Sequence, residues 1–211
     1  SKGTKTQQGR GDLLAVDIGG ATTDVYSMAS GEPTVDNTML KGLPEPWMKR
    51  TVEGDLGMRY SLTHVYEQIP GADNPENEYM QQVKAWVELC TARPDTLAAP
   101  GSEEEKLEEF LGRSAVSMAV ERHCGRIADV FTPLGLMHTQ EGKDLMNVPS
   151  VIGIGGVLRN SRRPEEILKG SLYDFMHPEC TKPRKPKFYL DQKYIFASMG
   201  LLRSINPELA F

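Results

Sequence analysis

Residues 13–18 form an apolar run, broken only by Asp17, that ends in Gly19-Gly20. This is the pattern of a buried strand opening into a tight turn. Residues 23–28 alternate, with β-branched and aromatic side chains, and predict a second strand. Ser30-Gly31-Glu32-Pro33 reads as a turn, residues 34–40 as a third strand, and 41–47 as a loop with two prolines. Three successive strands on short connections predict an antiparallel meander.

Residues 62–69 predict a short helix, ended by the Pro- and Gly-containing stretch 70–75. Tyr79, Met80, Val83, Trp86 and Val87 recur at helical spacing, so 76–89 predicts a second helix. After a break at 94–101, Ser102 and Glu105 fit a capping box. Leu107, Phe110, Leu111, Ala115, Met118 and Ala119 then form one apolar stripe, with Gly112 marking a candidate break. Residues 127–133 and 136–140 flank Leu134-Gly135 and predict a hairpin. Residues 150–154 read as a buried strand ending in Gly155-Gly156. A short helix at 165–169, a Pro- and Lys-rich solvated loop at 178–186, a strand at 187–190 and a closing helix at 194–205 complete the chain. Antiparallel strands first and strand–helix alternation later predict an α/β domain with a mixed sheet. The expected organisation is a polar lead-in at 1–12, a core from 13–42 and 115–211, and an α-rich insertion at 43–114.

Composition narrows the function classes. Of 211 residues, 39% are hydrophobic and 25% charged, and the net charge is −5. The mild negative charge argues against general nucleic-acid or anionic-membrane binding. No apolar run approaches the roughly 20 residues of a membrane span. The lead-in lacks the apolar stretch of a signal peptide. Cys90, Cys124 and Cys180 are odd in number and widely spaced, which predicts free thiols in a reducing cytoplasm. His64, His123, His138 and His177 show no metal-ligand spacing.

The candidate chemistry sits at the two glycine turns. A buried strand delivers Asp17, then Gly19, Gly20, Ala21, Thr22 and Thr23 turn the chain, and Asp24 begins the next strand. Glycines let a backbone approach a ligand closely. Successive N–H groups in such a turn form an anion-binding nest, and Thr22 and Thr23 add hydroxyl donors. Two carboxylates beside a phosphate nest suit a hydrated magnesium ion, which keeps water and phosphate oxygens among its ligands. The second turn, in the segment 151–160, repeats the strand-to-glycine pattern at Gly153, Gly155 and Gly156. It is neither a Gly-x-x-x-x-Gly-Lys-Ser/Thr loop nor a Gly-x-Gly-x-x-Gly fingerprint. Its meaning comes from its pairing with the first.

The segment DIGGATTD at 17–24 resembles the second phosphate motif of the actin, Hsp70 and sugar-kinase superfamily. Residues 151–156 resemble its adenosine motif, and ASMGLL at 197–202 its closing hinge helix. The finer resemblance is to the MutL-type (glutamate mutase L) family. It rests on VDIGGATTDVYS at 16–27, EGDLGMRYS at 53–61, AVERHCGRI at 119–127, GKDLMNVPSVIGIGGVLRNS at 142–161 and FASMGLLRSINPELA at 196–210. The resemblance implies a ribonuclease H-like, actin-like ATPase lobe with a mixed five-stranded sheet. It implies ATP and Mg2+ as cofactors, with Asp17 and Asp24 holding the metal through water and orienting the attacking water. Gly19 to Thr22 would hold the terminal phosphate, Gly155 and Gly156 the adenosine and α-phosphate, and Glu121 and Arg122 would border adenine and ribose. The implied function is an ATP-driven reactivating chaperone for an adenosylcobalamin-dependent mutase, its partner. A small-molecule kinase and an actin-like structural ATPase are the alternatives. One departure bears on this. The superfamily's first lobe brings an Asp-x-Gly-Ser/Thr loop, and Asp55-Leu56-Gly57-Met58-Arg59 lacks the hydroxyl residue. The chain is therefore expected to be the second lobe, partnered by a first lobe of the same protein. A weak ATPase is expected of the two together and not of this chain alone.

Overall fold

Strand β1 (Leu13–Ile18) is buried along nearly its whole length because it lies at the centre of a sheet. The computed structural model describes residues 3–6, 8, 9, 11–133 and 135–210. Strand β2 (Thr23–Met28) runs antiparallel to β1 with alternating burial. Thr23, Val25 and Ser27 point into the core, while Asp24, Tyr26 and Met28 share the other face. The remaining elements in chain order are β3 (Thr38–Lys41), β4 (Met48–Glu53), α1 (Leu62–Glu67), α2 (Glu78–Ala92) and α3 (Glu103–His123). They are followed by β5 (Arg126–Thr132), β6 (Gly135–Glu141), β7 (Ser150–Ile154), α4 (Gly156–Asn160), α5 (Pro164–Leu168), β8 (Lys187–Leu190) and α6 (Phe196–Leu202).

Five strands form a mixed sheet in the order β4-β2-β1-β7-β8, and three form a second sheet in the order β3-β6-β5. β7 and β8 run parallel to β1, so the C-terminal ends of all three strands reach one edge. Helix α3 covers one face of the large sheet. Leu111, Ala115, Val116, Ala119 and Val120 meet Leu14, Val16, Ile18 and Val25 in one hydrophobic core. Ser102 caps α3, its hydroxyl accepting from Glu105 N at 3.3 Å. The Glu105 carboxylate accepts from Gly101 N at 2.6 Å, one residue before the cap. Gly112 does not break the helix; it lets α3 lie directly against Ile167 of α5.

The third strand of the meander is not where the pattern puts it. Residues 34–37 turn the chain away instead: Asp144 accepts from both the N–H and the hydroxyl of Thr34, and Asn37 has φ 57°. The strand that follows, β3, pairs parallel with β6 in the second sheet. The meander is completed by β4, which pairs antiparallel with β2. β4 hides in the sequence because it is an edge strand whose inward residues are polar. Lys49, Thr51 and Glu53 bond Glu45, His123 and Arg122 respectively. The segment 43–114 thus supplies a strand to the large sheet. Its α1 and α2 also share the core, through Val65, Met80, Val83 and Trp86.

The 127–140 hairpin forms as expected, with its Leu134 position outside the described residues. In the lead-in, residues 1, 2, 7 and 10 lie outside them too. The Thr4 and Thr6 hydroxyls donate to the Glu208 carboxylate, joining the lead-in to the segment after α6. Lys182, expected in a solvated loop, is buried and donates to Ser117 Oγ at 2.9 Å. The three cysteines are free and buried. Among the described residues, no helix is long and apolar enough to cross a membrane.

Candidate functional site

The β1–β2 turn is braced from one side. Met58 N donates to Gly19 O at 3.0 Å, Arg59 N and Tyr60 N to Gly20 O at 2.8 and 2.9 Å, and Ser61 Oγ to Ala21 O at 3.0 Å. Gly57 lies so close that a Cβ there would stand 2.2 Å from the Ala21 carbonyl carbon. All three turn carbonyls therefore face the 54–61 loop. In a trans planar peptide the N–H points opposite to the C=O. The N–H groups of Gly20, Ala21 and Thr22 consequently face away from the loop, as an anion nest requires. Thr23 does not join them. It is buried on the α3 side, and its hydroxyl donates to Leu56 O at 2.5 Å.

Asp17 and Asp24 are direct cross-strand partners, with side chains on the face away from α3. Burial, and next the facing Asp24 charge, push the Asp17 carboxyl above its usual range; Arg50 pulls the other way. Arg50 of β4 lies 3.5 Å from Asp24 Oδ1. The approach is too poorly aligned for a hydrogen bond, and Asp24 Oδ1 is buried with no hydrogen-bond partner among the described residues. An orphaned carboxylate oxygen beside a second carboxylate fits a hydrated divalent cation. No cluster of three or more His, Cys, Asp or Glu that could hold a metal occurs among the described residues. Such an ion would need water or other oxygens for its remaining ligands.

The second glycine turn meets the first at the same sheet edge. Gly155 has φ 103°, and a Cβ there would lie 2.3 Å from Ile18 O and 2.8 Å from Asp17 Oδ1. Only glycine lets this turn lie against the end of β1. Gly156 opens α4 and lines a cleft of about 530 Å3 with Gly19, Gly20, Arg59, Glu108 and Asn160. A salt bridge of 2.6 Å joins Arg59 to Glu108 across its wall. Asp191, at the end of β8, accepts from Ile195 N and Phe196 N at the start of α6 and adds its negative charge near Asp17.

A family model described as MutL protein matches residues 1–211. The chain belongs to the MutL family. A curated relative, Protein MutL of Clostridium tetanomorphum, is 45% identical over 213 residues. That match takes in 100% of this chain and 46% of the relative, so the chain spans about half the length of the relative it matches.

In this MutL chain the structure brings together Asp17, Gly19, Gly20, Ala21, Thr22, Asp24, Gly155 and Gly156. Besides Thr23, three expected contributors stand elsewhere. Gly153 lies inside β7 under Leu158 and Leu168, where a Cβ would be 2.8 Å from Leu158 Cδ1, so it serves packing. Glu121 and Arg122 sit about 13 residues beyond Glu108 on α3, roughly 20 Å along its axis at 1.5 Å per residue. Both are engaged there. Glu121 pairs with Arg126 at 2.9 Å, and Arg122 bonds Glu53, Asp55 and Gln68. Hydrogen bonds from Arg122 hold the Asp55 carboxyl well below the usual carboxylate range. Sequence reasoning missed Arg50, Arg59, Glu108, Asn160 and Asp191. Glu108 follows from the α3 period, as a neighbour of Glu105 on the same helical face. Arg50 had no signal until β4 was placed.

Proposed function

We propose that this chain is the nucleotide-holding lobe of an ATP-dependent reactivating chaperone for an adenosylcobalamin-dependent mutase of the glutamate mutase type. The β1–β2 turn carries the nucleotide half of the reading, with its three outward N–H groups beside the Asp17–Asp24 pair. The client half rests on membership of the MutL family. The five-stranded sheet, with its hairpin on one side of β1 and parallel strands on the other, supports an actin-like ATPase lobe.

In this reading Gly20, Ala21 and Thr22 N–H hold the terminal phosphate. Gly156 and Asn160 border the nucleoside in the cleft, whose volume suits a ligand of that size. Asp17 and Asp24 would hold magnesium through water. When bound, the metal supplies positive charge against the phosphate oxygens. Asp17, its carboxyl raised by burial, is the group placed to orient water and accept its proton. A second lobe of the same protein would close over this one, which agrees with the 46% share of the relative.

The test uses the longer protein with suicidally inactivated mutase, ATP and fresh adenosylcobalamin. Mutase activity should return with the wild type and stay lost with Asp17→Ala. Equal reactivation by both would sink the ATP switch. This chain alone should bind Mg-ATP weakly by calorimetry, since half of the phosphate contacts lie in the other lobe. Tight binding would overturn the half-site reading.

A further inference from the structure

Among the described residues, Arg50 is a cation set beside a pair of carboxylates that share one site. It stands on β4, opposite Tyr26 and two positions from Val52, the partner of Asp24, so it shares their face of the sheet. Its guanidinium lies over the Tyr26 ring at 5.3 Å from the centroid and reaches Asp24 Oδ1 at 3.5 Å. The contact is loose, and the Arg50 side chain is 57% exposed while that of Asp24 is 15% exposed. The guanidinium can therefore leave without opening the core. Directly facing like charges repel, and Arg50 stands where a positive charge offsets that repulsion. A divalent ion at the same carboxylates would relieve it more fully and would also repel the guanidinium.

Building on the metal site of the proposed function, we propose that Arg50 is a resident counter-cation of the Asp17–Asp24 pair. A divalent metal must displace it, so Arg50 sets the metal affinity of the site. It touches neither phosphate nor attacking water in this role. It is a positioning residue, and its effect runs through Asp24.

The probe is Mn2+ alone, titrated onto the chain at constant ionic strength and followed by the EPR signal of the free aqua ion. Removing one positive charge a few ångströms from a divalent ion in a water-accessible site should tighten binding about tenfold for Arg50→Gln. Arg50→Lys, which keeps the charge and loses the planar stack, should remain near the wild type. In an Asp24→Asn background, Arg50→Gln should have no effect. Equal affinity for wild type and Arg50→Gln, with loss of binding in Asp24→Asn, would overturn the inference and leave the metal site standing. Weaker binding by Arg50→Gln would also overturn it, showing that Arg50 supports the carboxylates. Absence of Mn2+ binding by every form, at concentrations up to the millimolar range, would remove both the metal site and the role given to Arg50.

Discussion

At Gly155 a single missing methyl group decides whether two turns can meet. The residue has φ 103°, and a Cβ would collide with the Ile18 carbonyl at 2.3 Å. Gly155→Ala should cost about 3 kcal/mol or more in urea denaturation, from strain and forced separation together. Gly20→Ala is the control. Its nearest heavy atom would be Arg59 Cβ at 3.6 Å, so the cost should stay within about 1 kcal/mol. Comparable losses at the two sites would contradict the packing described. His123 gives a pH signature. It is buried between Thr51 Oγ1 at 2.9 Å and Ser27 Oγ at 2.8 Å, and burial, aided by Lys49 and Lys143, pushes its pKa down to about 3. The unfolded chain binds this proton near pH 6.5 and the folded chain does not. The His123 contribution to stability is therefore complete above about 6.5 and falls as pH drops toward 3, by up to about 1.4 kcal/mol per pH unit. His123→Gln should flatten that part of the stability profile between pH 6.5 and 4.5. An unchanged slope would mean that His123 is protonated in the folded state.

Arg122 joins elements that the sequence leaves far apart. Its guanidinium takes both Asp55 oxygens at 2.8 Å, Glu53 at 2.7 Å and Gln68 at 2.5 Å. One side chain of α3 thus holds the end of β4, the bracing loop and the residue after α1. It is 36% exposed, so solvent discounts the ion pairs. Arg122→Ala should cost about 1–2 kcal/mol in a denaturant titration, and Arg122→Lys should recover little, because the fork geometry is lost. Full recovery by lysine would show that charge alone matters. Among the elements, β1, β2, β7, β8 and α3 were legible because each is buried on a face of regular period or capped by Ser102. β4 and β3 exchanged places because an edge strand with polar inward residues carries no hydrophobic alternation. α4 was missed because its five residues follow a glycine turn too closely to show a period.

Over the whole molecule, the site lies where three parallel strand ends and one hairpin turn reach the same sheet edge. That convergence was readable from the two glycine turns, since each ends a buried run. The direction of the side chains was less readable. Thr22 and Thr23 look alike in sequence, but strand alternation buries Thr23 against α3. Arg122 has the composition of a ligand contact, yet its position at the far end of α3 commits it to acidic neighbours. The brace on the β1–β2 turn has a consequence of another kind. Gly19 and Gly20 are held by the main-chain amides of Met58, Arg59 and Tyr60, so changing the Arg59 or Tyr60 side chain leaves those bonds in place. What fixes the outward-facing amides of the turn is chiefly the number of residues between 54 and 61 and the path they take. A one-residue insertion or deletion there would displace the whole row together, whereas exchanges of the Arg59 or Tyr60 side chain would leave it in place; Gly57, with no room for a Cβ against Ala21, and Ser61, whose hydroxyl bonds Ala21 O, are the two positions where identity counts. Apart from Gly57 and Ser61, this part of the molecule is written in chain length rather than in side chains.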